Sequence, residues 1–251
     1  MPAAREQPAS RGGRLAYLVT CEHGGNKIPP AYVALFRTHR ALLESHRGYD
    51  PGALALAQAL ARELGARLLT STVSRLLVEL NRSPGRQFRY SPVMRSATRA
   101  VRAEICRHHY TPHWTAAEAF VHDAVASGQR VLHVSSHSFT PSLDGDVRRT
   151  DVGLLYDPAR ASARSLCIAW QAALALRLPH WTTRRNYPYR GTGDGLTRYL
   201  RTRFDDASYC GIELEINQKH VRDNGSVAAH ECEAVVAALR DGLAARTAPR
   251  R

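Results

Sequence analysis

The chemistry open to this chain rests on two histidines, a glutamate and an Asn-Arg pair. His23 follows the apolar run 15–20, and His137 follows the run 130–136. Glu215 lies at the end of the run 209–216, and Asn81-Arg82 closes the run 75–80. Two neutral imidazoles and a carboxylate bind zinc and leave one position for water or substrate. The ion lowers the pKa of its water to ~7 and polarises a carbonyl. A second carboxylate, not a ligand, can take the water's proton and pass it to a leaving nitrogen. An arginine fork grips a substrate carboxylate in two-point geometry. Each residue also has a plainer role. A histidine after a strand can be a core or surface residue, Glu215 can pair with one of many arginines, and Asn81-Arg82-Ser83-Pro84 can be an ordinary turn.

What would bring these residues together is a set of strand ends. Short apolar runs alternate with longer helical patterns, the βαβ rhythm of α/β folds. The spacing predicts strands over 15–20, 67–72, 75–80, 130–136, 152–156 and 209–216. It predicts helices over 51–64, 97–127 (broken near Pro112), 162–178 and 225–244. Asp50 reads as the N-cap of the first helix and Gly65 as its stop. The expected fold is a single α/β domain, a twisted, mostly parallel mixed sheet with helices on both faces. In such sheets the carboxyl ends of the strands line the ligand crevice. Four ends carrying His, His, Glu and Asn-Arg therefore suggest one shared pocket.

A chain of 251 residues fits one such domain. Its formal charge of +13 is almost all arginine, the only lysines being Lys27 and Lys219. A basic chain invites a nucleic-acid reading, but the arginines are spread along the whole length, and only 246–251 form a local cluster. Dispersed compositional bias is the stronger reading, and a basic surface also draws in small anions. No apolar run approaches the ~20 residues needed to span a bilayer. The polar start, 1–13, lacks an apolar signal segment and reads as a disordered arm before a domain over 14–247, in a cytoplasmic protein. The five cysteines are scattered, with no C-x-x-C pair. This argues against a disulfide framework or a cysteine zinc site; Cys21, Cys167 and Cys210 read as core thiols.

The ordered motifs resemble a known family. Cys21-Glu22-His23-Gly24-Gly25 with Ile28-Pro29 is similar to the opening of the N-formylglutamate amidohydrolases. Ser74 to Arg82 resembles that family's Ser-Arg-(apolar)-Asp-Leu-Asn-Arg segment, with Glu79 in place of Asp. Ser136-His137-Ser138-Phe139, Asn186-Tyr187-Pro188-Tyr189-Arg190-Gly191 and Glu215 match its later motifs. The order also resembles the wider zinc carboxypeptidase and aspartoacylase group, which implies a zinc-carboxypeptidase-like fold. The resemblance implies His23 and His137 as ligands of zinc or another divalent transition metal, Glu215 as base and then acid, and Asn81-Arg82 as a carboxylate clamp. Asn186 and Arg190 would join the substrate site. Arg190 would hold a second carboxylate or polarise the carbonyl, or be surface charge alone. The wider group uses His-x-x-Glu, and here Asn26 stands at the Glu position. An amide is a poor zinc ligand beside a carboxylate, so the missing oxygen ligand falls to Asp50, unless Asp50 only caps a helix. The implied reaction is hydrolysis of an N-acyl group, formyl favoured, from a small acidic amino acid. The rivals are a metallo-carboxypeptidase or other deacylase, an arginine-rich nucleic-acid-binding protein, and a relative that has lost its metal.

Overall fold

Alternation within the strands decides where polar groups go. The computed structural model describes residues 14–85 and 89–247; the expected arm, 1–13, and the end of the arginine tail lie outside them. In chain order the elements are β1 (Leu15–Cys21), α1 (Arg40–Glu44), α2 (Ala53–Leu64), β2 (Arg67–Thr70), α3 (Arg99–Ile105), α4 (Thr111–Ala126), β3 (Arg130–Phe139), β4 (Ser142–Leu143) and β5 (Asp146–Val147). They continue with β6 (Val152–Leu155), α5 (Ala161–Arg177), β7 (Thr183–Arg185), α6 (Leu196–Arg203), β8 (Tyr209–Asn217) and α7 (Ala229–Thr247). Six strands form one sheet in the order β2-β1-β3-β8-β6-β7. Neighbours run parallel except β6 and β8. The strands β4 and β5 form a separate small hairpin.

Helices α2, α5 and α7 cover one face, packing on Val19, Leu132, Val134, Ile212, Leu214 and Ile216. Helices α3, α4 and α6 cover the other, packing on Leu18, Val131 and Tyr209. Successive residues of a strand point to opposite faces. On the α4–α6 face each central strand begins apolar and turns polar toward its carboxyl end. The series are Leu18, Thr20 in β1, continuing to Glu22; His133, Ser135, His137 in β3; and Glu213, Glu215 in β8. The buried polar cluster is thus the upper half of one sheet face.

Several elements differ from the sequence expectation. Residues 75–80 form no strand. Their apolar run is buried among irregular loops, and side chains satisfy its backbone: Ser91 Oγ donates to Leu76 O at 2.6 Å and Trp114 Nε1 to Leu80 O at 2.8 Å. A short apolar run buried on all sides has no periodicity to separate it from a strand. The strand β3 runs past His137 instead of ending before it. The N-cap of α2 is Gly52, at φ 82°, rather than Asp50; Gly65 closes the helix in left-handed geometry, as expected. The break near Pro112 is a π-turn over Cys106–Tyr110 inside an otherwise continuous helical stretch. Helix α7 starts at Ala229 because Val221 and Val227 pair across a turn at Gly225. Neither β7 nor α6 was expected: both are short and arginine-rich, with little apolar signal.

Candidate active site

Three side chains converge at the top of β1 and β3. His23 follows β1, where the backbone from Gly24 to Lys27 is pinned to the loop after β2: Gly24 N donates to Ser71 O at 2.9 Å and Lys27 N to Thr72 O at 3.0 Å. A side chain at Gly25 would put its Cβ 2.7 Å from Thr72 O, so this approach needs glycine. Asp50 is drawn in by its own backbone, whose N–H donates to His23 O at 2.9 Å. Asp50 Oδ2 lies 3.1 Å from His23 Nδ1 and 2.9 Å from His137 Nδ1. All three residues are buried. One ligand atom from each lies within 4.8 Å of the others, close enough to share an ion.

The far nitrogen of each imidazole has an acceptor of its own. His23 Nε2 meets Glu79 Oε1. His137 Nε2 lies 2.9 Å from Ser135 Oγ and 3.3 Å from Glu22 Oε2, and Ser135 Oγ donates to that same oxygen at 2.8 Å. These partners assign the ring protons to Nε2. Both Nδ1 atoms then point at Asp50 Oδ2, the arrangement a shared cation would occupy; without an ion, a proton on His137 would take that place and donate to Asp50. The charge balance points the same way. Asp50, Glu79 and Glu22 are all buried, and Arg75 is the only guanidinium bonded to any of them among the described residues. Arg75 donates to Asp50 Oδ1 at 3.2 Å and to Glu79 Oε2 at 2.8 Å. Burial opposes the charge of each carboxylate. For Asp50 the neighbouring His23, His137 and Arg75 outweigh it and hold the group well below the usual range. Arg75 and His23 do the same for Glu79, and His113 and His137 for Glu22. His137 is held well above its usual pKa: burial works against its charge, but the bonds to Asp50 and Glu22 prevail. The donor set of two imidazoles and one carboxylate suits a divalent transition metal, and carboxylates behind the ligand histidines are the usual arrangement for such a centre.

Glu215 stands beside this group. It pairs with His137 in the β3–β8 register and with Gly153 in β6. A Cβ at Gly153 would lie 3.2 Å from Glu215 Cβ and collide with the Tyr187 carbonyl. Glu215 is 5% exposed, and its Oε2 is buried with no hydrogen-bond partner. Burial is the main reason its pKa is pushed up to about 8. Outside these groups opens a cavity of about 340 Å³, lined by Asp50, Glu79 and Arg75 and, nearer solvent, by Arg47, Tyr189 and Gln218.

The sequence profile of the N-formylglutamate amidohydrolases matches residues 15–221. The chain belongs to that family. Among solved structures, a gene product of Agrobacterium tumefaciens is 27% identical with a TM-score of 0.78, covering 95% of this chain and 94% of that one. An N-formylglutamate amidohydrolase from Ralstonia eutropha JMP134 is 19% identical with a TM-score of 0.65, covering 94% and 96%. It shares the fold. No curated protein matches the chain.

Within the amidohydrolase family motifs, the expected residues fall into two groups. His23, Asp50, His137 and Glu215 come together as described. Of the expected site residues only Asp50 lines the cavity; His23, His137 and Glu215 lie behind it, and the expected substrate residues lie elsewhere. Asn81 Oδ1 accepts from Leu196 N at 2.9 Å, capping α6, while its Nδ2 lies 3.4 Å from His137 Nε2. Arg82 donates to Asn81 O at 2.7 Å and Asp194 O at 3.3 Å. Asn186, at φ 52°, accepts from Tyr156 N and Gly191 N through Oδ1. Arg190 is exposed, next to the cavity residue Tyr189. Glu213, two residues before Glu215 on the same face of β8, accepts from Thr197 Oγ1. Glu22, Arg75, Ser135 and Arg47 were not singled out from the sequence. For Glu22 and Ser135 a signal existed, the period-two continuation of Thr20 and of His133 to His137. Arg75 stood in the Ser74 to Arg82 motif without a role assigned to it, and for Arg47, one among many dispersed arginines, there was no signal.

Proposed function

We propose that this member of the amidohydrolase family is a metal-dependent enzyme that removes an N-acyl group, formyl favoured, from an acidic amino acid such as glutamate. His23, His137 and Asp50 hold the ion, zinc by the character of the donors. The observation that carries this reading is the meeting of His23 Nδ1, His137 Nδ1 and Asp50 Oδ2 beside the unpartnered oxygen of Glu215. A divalent ion there would polarise the scissile carbonyl and make a water acidic enough to attack at neutral pH.

The chain's own groups supply the rest. Glu215 takes the attacking water's proton at its free oxygen and delivers it to the leaving amine. Glu79 and the Ser135–Glu22 pair fix both imidazoles with Nδ1 toward Asp50. Arg75 keeps Asp50 and Glu79 ionised and lines the cavity where the acyl group would enter. Release of formate from N-formyl-L-glutamate by the zinc-loaded protein tests the reading. Turnover lost on chelation and restored by zinc is the expected result, and no turnover across N-formyl and N-acetyl acidic amino acids would refute it.

A further inference from the structure

The inner cation of the cavity is already committed, whereas the one at its mouth is free. Arg75 is bonded to Glu79 and Asp50, and Arg82 donates to backbone carbonyls. Arg47 lines the same cavity and is exposed, and its guanidinium has no hydrogen bond or ion pair among the described residues. Its backbone, by contrast, is fixed. Arg47 N donates to Ser45 Oγ at 3.2 Å. The carbonyl of the next residue, Gly48, accepts from Ser74 Oγ at 2.8 Å and from Arg75 N at 3.2 Å. The next anchor is Asp50 itself, bonded to His23. An unpartnered guanidinium is thus tethered three residues from the candidate ligand Asp50, on the loop that carries it.

We propose that Arg47 is the specificity-determining residue that receives the side-chain carboxylate of the substrate. This rests on the amidohydrolase reading of the cavity. At the inner end of the cavity the carboxylates Asp50 and Glu79 already engage Arg75, so that guanidinium is not available to a second carboxylate. A free guanidinium at the mouth adds uncommitted positive charge that steers an anionic ligand inward. Its fork matches a carboxylate in two-point geometry. Tyr189 and Gln218, which also line the cavity, are neutral, and the nearby Arg148 is engaged with the Tyr189 hydroxyl and ring, so among the lining guanidinium groups charge selection falls to Arg47, with His46 next to it in the chain.

The test is calorimetric binding of glutarate, a dicarboxylate with no scissile bond, to the zinc-loaded wild type, Arg47→Ala and Arg47→Lys. A parallel assay compares hydrolysis of N-formyl-L-glutamate and N-formyl-L-glutamine. The exposed position makes both variants compatible with folding. Arg47→Ala should weaken glutarate by about tenfold or more and cut the preference for glutamate over glutamine by a similar factor. Arg47→Lys should fall between, keeping the charge but losing the fork. Unchanged glutarate affinity in Arg47→Ala, absence of glutarate binding in the wild type, or equal losses on both formyl substrates would each overturn the assignment. Glutarate binding that depends on Arg47 in a protein that hydrolyses neither substrate would support the assignment and refute the hydrolase reading alone.

Discussion

Glu215 lies directly across from His137 in the parallel register of β3 and β8, with one carboxylate oxygen buried and unpartnered. An unsatisfied buried polar atom costs stability on the order of 1–3 kcal/mol, so its retention beside a ligand cluster suits a group that moves a proton. Glu215→Gln should lower kcat by about 10²–10⁴-fold with bound metal unchanged. Turnover and metal content measured on one preparation check this; loss of metal in the variant would make Glu215 a ligand instead.

The same residue sets a pH dependence of stability. Its pKa is about 8 in the folded protein, against an ordinary 4.5. Between those values the folded state keeps a proton that the unfolded chain has lost, so stability falls as pH rises through this window. Metal-free Glu215→Gln should therefore be more stable than metal-free wild type at pH ~8.5, by a few kcal/mol at most, with the gap closing near pH ~5. Denaturant unfolding at the two pH values measures it. Added zinc should narrow the gap, because a nearby cation favours the carboxylate form.

The carboxylates behind the histidines should tune metal affinity without donating to the metal. Glu79→Gln and Glu22→Gln are each expected to weaken zinc binding about 10–100-fold, read by competition with a chelating dye. Affinities equal to wild type in both would mean that the two imidazoles are oriented by packing alone.

Arg82→Lys separates a clamp on the substrate from a clamp on the fold. Its guanidinium bridges the carbonyls of Asn81 and Asp194, so the substitution should lower Tm and reduce turnover equally on N-formyl-glutamate and on its α-amide. A loss confined to the substrate with a free α-carboxylate would return the carboxylate-binding role to Arg82.

Much of the fold was legible because its strands are apolar and its longer helices are periodic. β1, β3, β6 and β8 and the helices α2 and α5 fall close to where the spacing puts them. The segment 75–80 failed because burial on every side mimics a buried strand, and α6 failed because Leu196 and Leu200 are its only fully buried large apolar residues. In the site, His23, His137 and Glu215 stood out as reactive residues at the ends of apolar runs. Asp50 was ambiguous because an Asp before a helix has the same sequence signature whether it caps or coordinates. Asn81, Arg82 and Asn186 carry family motifs, and each bonds backbone, with Asn81 also beside His137, contacts that residue type and spacing do not reveal.

The central claim, that His23, Asp50 and His137 hold a catalytic metal, is tested most directly by elemental analysis of the purified protein and of His23→Ala, Asp50→Ala and His137→Ala. A single three-residue site predicts about one divalent transition metal per wild-type chain and loss of most of it in each variant. Wild-type metal content in all three variants would contradict the account.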